Sequence, residues 1–113
     1  MERETGMLSA GLEHNGAVHR EFTLRPLTVR DMIAVSEDAR AKKSEYSMTV
    51  AIIARQLESL GSIGKNEITP ELLENLTHAD LLQIAEAGGR LAERMRSFRG
   101  TGEGVAAGGD RAS

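Results

Sequence analysis

Cysteine is absent from the chain, which removes disulfides, thiolate nucleophiles and cysteine-ligated zinc from consideration. Tryptophan is absent as well, and only three aromatic rings occur, Phe22, Tyr46 and Phe98. A core must therefore be assembled from Leu, Ile, Val, Met and Ala, and the stacking platforms that single-stranded nucleic acids require are missing. No apolar run approaches the roughly 20 residues of a membrane span, and the opening Met1-Glu2-Arg3-Glu4-Thr5 lacks the basic-then-apolar layout of a signal peptide. Charge of one sign is also in short supply. Seventeen acidic side chains against fourteen basic ones leave a net charge of −3, which offers no chain-wide attraction to nucleic acid or to an anionic membrane. These absences predict a cytoplasmic protein with neither nucleic acid nor membrane among its partners.

Proline is scarce, and both copies sit at punctuation points. Before Pro26 an alternating pattern runs from residue 7 to residue 25, with Leu8, Ala10, Leu12, Val18, Phe22 and Leu24 all apolar at even positions. This predicts a β-hairpin around Asn15-Gly16. A two-residue turn would set Leu12 opposite His19. A three-residue loop, His14-Asn15-Gly16, instead pairs Leu12 with Val18 and Leu8 with Phe22, so the parity argument favours that loop.

After Pro26 the period changes. Thr28 can cap a helix with Asp31 at its third position, and Val29, Met32, Ile33, Val35 and Ala39 fall mostly on one side of a helix over about 29–43. A second helix is predicted over about 45–60, carrying Tyr46, Val50, Ile53, Leu57 and Leu60 at helical steps and ending at Gly61. Thr69-Pro70-Glu71 starts a short helix over about 70–75. Thr77-His78-Ala79-Asp80 starts the last, over about 78–98, with Leu81, Ile84, Ala85, Gly88, Leu91, Ala92, Met95 and Phe98 in register. Gly88-Gly89 predicts a kink, a break or a close approach of another backbone. The apolar register continues unshifted across the pair, which favours one bent helix. Residues 100–113 are glycine-rich with little apolar surface and read as a flexible tail. The expected fold is a single α+β domain over 1–99, an antiparallel hairpin packed on three to four helices.

No motif in this sequence supports catalysis. His14 and His19 flank the turn, His78 lies at a distant helix start, and no pair stands at metal-ligand spacing on a helix. No glycine-rich phosphate loop follows a strand. The chain is expected to be no enzyme and to hold no metal or cofactor. Arg90, Arg94, Arg96 and Arg99 have two readings, a basic patch of a small nucleic-acid-binding regulator or ordinary charges favoured by the negative end of a helix. The end of the apolar stripe, Leu91, Met95 and Phe98, is a candidate surface for a partner helix. The hairpin face of Leu8, Leu12, Val18 and Phe22 is a candidate for self-association into a homo-oligomer.

The hairpin Leu8 to Leu24, the junction Arg25-Pro26-Leu27-Thr28-Val29-Arg30-Asp31, and the segments Ile68-Thr69-Pro70-Glu71-Leu72-Leu73 and Leu76-Thr77-His78-Ala79-Asp80 follow one another in a small chain. In that order they resemble the tail assembly chaperones of Mu-like phages and prophages. The resemblance covers roughly residues 7 to 98. It implies a non-enzymatic protein that binds the tape-measure protein, with the tail tube protein as a further candidate partner, in the cytoplasm of a bacterial host. Such a protein is absent from the finished virion, which separates it from a structural tail component. The family also self-associates, and many members have a second, longer product made by frameshifting.

Overall fold

Residues 2–103 are described in the computed structural model of the protein, with side chains as far as Ser97. Strand β1 (Glu4–His14) and strand β2 (Ala17–Leu24) form the hairpin. Helix α1 (Val29–Ser36) and a 3-10 turn (Ala39–Lys42) follow. Helix α2 (Glu45–Gln56) leads directly into strand β3 (Leu57–Leu60), and a second 3-10 turn (Lys65–Glu67), helix α3 (Pro70–Leu73) and helix α4 (His78–Glu103) complete the order. The three strands form one antiparallel sheet in the order β1-β2-β3. Leu8, Leu12, Phe22 and Leu24 from the hairpin, Val50 and Ile53 from α2, Leu57 and Leu60 from β3, and Leu81, Ile84, Ala87 and Leu91 from α4 share one core. The expected α+β class is the observed one.

The turn differs from expectation. His14 pairs with Ala17, so the loop is the two residues Asn15-Gly16, both with positive φ (53° and 79°), as a tight hairpin turn requires. Leu12 therefore does face His19. Parity is restored further along by a bulge, in which residues 8–11 of β1 stand opposite Arg20 alone and Phe22 then pairs with Gly6. On β2 the inward residues are His19, Phe22 and Leu24, while Val18 is exposed. Gly11 closes the bulge at φ +88°. A Cβ there would lie 2.6 Å from Arg20 Cγ and 2.7 Å from Val18 Cγ1, so no side chain fits.

The bulge points its amides at α4. The N–H groups of Ser9, Ala10 and Gly11 donate to the carboxylate of Asp80 at 3.1, 3.2 and 2.8 Å, and Asp80 is fully buried. Gln83, one turn-face neighbour along α4, accepts from Ser9 N–H at 3.2 Å and donates to the Met7 carbonyl at 2.7 Å. On the other side Arg20 donates to the carbonyls of Leu8 and Ser9. Thr77 caps α4 as expected, its hydroxyl accepting from Asp80 N–H at 3.1 Å.

Asp31 has the matching place at the start of α1. The Thr28 capping box forms as expected. The Asp31 carboxylate accepts from Thr28 N–H and Oγ1 at 2.9 Å, from both terminal nitrogens of Arg25 at 2.8 Å, and from Arg55 Nε at 3.1 Å. Its side chain is 3% exposed. The Arg25 guanidinium, with Thr28 and Arg55, holds the Asp31 carboxyl far below the usual carboxylate range against the opposing effect of burial.

Helix α2 ends four residues earlier than its periodicity predicts. The Lys65 ammonium donates to the carbonyls of Ala54, Arg55 and Leu57 at 3.1, 3.0 and 2.6 Å, which satisfies the end of the helix. The chain then turns extended at Leu57 (φ −68°, ψ 121°) and β3 pairs Leu24 with Leu57 and Phe22 with Leu60. Gly61 follows this strand rather than the helix, and its N–H donates to the Glu21 carbonyl at 2.7 Å. The predicted 29–43 helix is divided into α1 and a 3-10 turn, with Asp38 capping the turn through Arg40 N–H. The predicted 70–75 helix is limited to α3. Helix α4 passes through Gly88-Gly89 without interruption and runs to Glu103, so residues 100–103 belong to it rather than to a tail. Residues 104–113 of the expected tail lie outside the described residues.

Two outcomes follow from the buried carboxylates. Asp80→Ala leaves up to three amides without an acceptor and should lower stability by about 3 kcal/mol or more, read as a fall in the circular dichroism thermal midpoint, with Asp80→Asn losing less. The Asp31 carboxyl is depressed in the fold, so its contribution is fully present above the unfolded carboxylate value of about 3.9 and is lost as pH falls through the folded value. Asp31→Asn should therefore cost about 3 kcal/mol at neutral pH and flatten the acid limb of the stability curve measured by urea unfolding.

Candidate partner-binding surface

Between α2, α4 and the segment that precedes α1 lies an apolar groove of about 530 Å³. Ile53 and Leu91 form its floor and are buried, Leu91 being 1% exposed. Leu27 stands on one rim at 39% exposure, and Ala92 and half-buried Met95 stand on the other. Gly88 lines the wall and adds no side chain to fill it. Thr49, Ile52, Ile53 and Gln56 of α2 face Ala85, Gly88, Leu91 and Met95 of α4 across the groove. Apolar side chains that cover nothing of their own fold mark partner sites.

Helix α1 adds a second apolar surface. Val29, Met32 and Ile33 share one face at helical spacing and are 77%, 38% and 54% exposed. The sequence places these residues with Val35 on one inward side. Only Val35 is buried. The reason is Asp31, which must face inward to meet Arg25 and Arg55 and takes the inner side of the short helix together with Val35. No pattern in the sequence marks this reversal, since a Thr-x-x-Asp start reads as a solvent-exposed cap.

Of the residues assigned to partner binding, Leu91 lies in the core and on the groove floor, and Met95 packs against the core from the rim. The Phe98 side chain lies outside the described residues. Of those assigned to self-association, Leu8, Leu12 and Phe22 are 0%, 1% and 1% exposed within the core, and Val18 faces the other way. The folded chain closes the inner hairpin face with its own helices.

The arginines at the end of α4 are engaged. Arg90 meets Glu4 at 3.1 Å, Arg94 meets Glu2 at 3.1 Å and also Glu4, and Arg96 meets Glu93 at 2.7 Å. Arg94, and after it Arg90, hold the Glu4 carboxyl below the usual carboxylate range against the opposing effect of burial. Arg99 lies outside the described side chains. The Arg90 and Arg94 pairs fasten the first residues of β1 to α4, and the three pairs balance the charges of Arg90, Arg94 and Arg96.

The histidines are structural in their contacts. His19 accepts Ser62 N–H at Nδ1 (3.2 Å), which leaves Nε2 to donate to the His14 carbonyl at 3.3 Å. The rings of His14 and His19 are 6.3 Å apart, and His78 meets the Tyr46 hydroxyl at 3.2 Å. Among the described residues no three His, Cys, Asp or Glu side chains gather as a metal site would require, and no described helix is long and apolar enough to cross a membrane.

The geometry is that of a binding protein with an open apolar surface. No curated protein and no solved structure matches the chain. A family profile does, over residues 5–93, from Thr5 near the start of β1 to Glu93 in the ion-paired turns of α4, and its description reads phage tail assembly chaperone proteins, E, or 41 or 14. With that match spanning most of its length, the chain belongs to the family of phage tail assembly chaperones.

Proposed function

We propose that this chaperone binds the tape-measure protein of its phage and keeps that protein soluble until the tail tube assembles around it. The observation that carries the reading is the open apolar groove between α2 and α4. Tape-measure chains are long helices whose apolar faces aggregate when bare. A helix presenting apolar side chains at i, i+3/i+4 and i+7 fits a groove of this kind, and a rim built from Leu27 and Met95 adapts to successive helical repeats without one fixed shape. The work is binding, with no bond made or broken. It takes place in the host cytoplasm, and the chaperone leaves before the virion is complete. The tail tube protein is a second candidate partner. Self-association, expected of such a chaperone, must use a surface other than Leu8, Leu12 and Phe22, which the core occupies.

The test is co-expression with the protein encoded by the downstream tail gene. The wild-type chaperone should keep that protein soluble and co-purify with it, and the complex should survive about 1 M salt, where phosphate contacts would be screened. Each apolar side chain buried in the contact is worth about 1.5–3 kcal/mol before ordering costs. Met95→Asp combined with Leu27→Asp should therefore weaken the complex by about a hundredfold or more, with the thermal midpoint of the double variant read alongside because Met95 also packs on the core. Val29→Asp with Ile33→Asp measures the α1 face separately. Failure of the wild type to solubilise or retain the partner would end the tape-measure reading, whereas a full-strength double variant would end only the assignment of the groove.

A further inference from the structure

A second cleft, of about 300 Å³, lies on the other side of α1, between Ala34 and Val35, the last turns of α2, and residues 65–70. Its lining includes Arg25, Arg40, Arg55 and Lys65. Asp31, behind this lining, is saturated. It already accepts five hydrogen bonds, from Arg25, Thr28 and Arg55, against about four lone-pair sites on a carboxylate. Arg55 uses Nε on Asp31, and its Nη1 and Nη2 have no partner among the described residues, while its side chain is 42% exposed. Lys65 gives its three N–H groups to backbone carbonyls and so contributes charge rather than donors.

The charges do not balance. Arg40 is held by Asp38 and Glu71, and Asp31 answers one of the remaining three cations. The four cations thus face three carboxylates. Glu58 is taken by Arg3 at 2.6 Å, and neither Glu58 nor Glu67 lines the cleft. One positive charge is left over in a concave site, on a protein whose net charge is −3. Burial first, and then repulsion from Arg25 and Arg55, lowers the Lys65 pKa against the opposing effect of Asp31 and Glu58.

We propose that this cleft binds a single carboxylate, the side chain of a Glu or Asp presented by a protein partner, with the terminal nitrogens of Arg55 as its fork. A singly charged carboxylate restores neutrality, whereas a phosphate dianion overshoots. The planar Arg fork is matched to carboxylate geometry. Asp31 acts as a positioning residue, because its bond to Nε fixes the guanidinium and leaves the outer edge to the ligand. The site is separate from the apolar groove and does not depend on which tail protein the groove binds.

The experiment is an NMR titration of the full chain at constant ionic strength, reading the Nε–Hε signals of Arg55 and Arg25. The probes are N-acetyl-glutamate amide, its neutral glutamine counterpart and inorganic phosphate. The glutamate probe should shift the Arg55 signal saturably, and the glutamine probe should not. Arg55→Gln, followed on backbone amides of residues 34–35 and 68, should weaken binding by about tenfold or more. Arg55→Lys, which keeps the charge but loses the fork, should fall between. A thermal midpoint for each variant shows that the fold is intact, and if Arg55→Gln is unfolded the Lys variant decides. Equal shifts from the glutamate and glutamine probes, or saturable binding of phosphate without any of glutamate, would overturn the proposal.

Discussion

The Asp80 carboxylate, buried beneath three successive amides of β1, is the interaction from which the rest of the structure is arranged. A strand that bulges by several residues leaves unpaired N–H groups, and burying them without acceptors would be prohibitive. Asp80 supplies one anionic acceptor for all three, and it stands at the third position of α4, where the positive end of the helix favours a negative charge. One side chain thereby fixes the bulge, the start of the helix and the angle at which the helix leaves the sheet. The bulge in turn sets which residues of the hairpin face inward, and so which core α4 must cover.

Asp31 repeats the device with different partners. It binds arginines from the end of β2 and from α2 instead of strand amides, so it joins the three segments that meet at the α1 start. The consequence is functional as well as structural. A short helix with a charged residue on its inner side has to show its apolar side chains to solvent, and Val29, Met32 and Ile33 become surface. The same anchor leaves the guanidinium of Arg55 half satisfied. Both of the candidate surfaces outside the groove therefore trace to one carboxylate.

The fold leaves apolar surface that its own core does not consume. Here α4 is held at its beginning and at its ion-paired outer side, and α2 ends at the Lys65 cap and hands its last residues to the sheet, with the groove open between the two helices. Paired arginines along α4 tie its outer side to β1.

Local sequence determined what local physics governs. Thr28 and Thr77 cap helices, Asn15-Gly16 makes the turn, Pro26 and Pro70 mark the boundaries, and the unshifted apolar stripe across Gly88-Gly89 continues as one helix. The α+β class and the family were legible from these signals and their order. Tertiary structure decided the features whose partners are distant in the chain. The parity of the hairpin assumed an unbroken ladder, and the bulge is stabilised by residues some seventy positions away. The strand at Leu57–Leu60 carries leucines whose spacing also suits a helix, and only pairing with β2 and the Lys65 cap selects the strand. The inward turn of Asp31 depends on Arg55, which no short motif connects to it. The groove is likewise a relation between helices, and a sequence pattern specifies each helix face but not the distance at which another element leaves it uncovered.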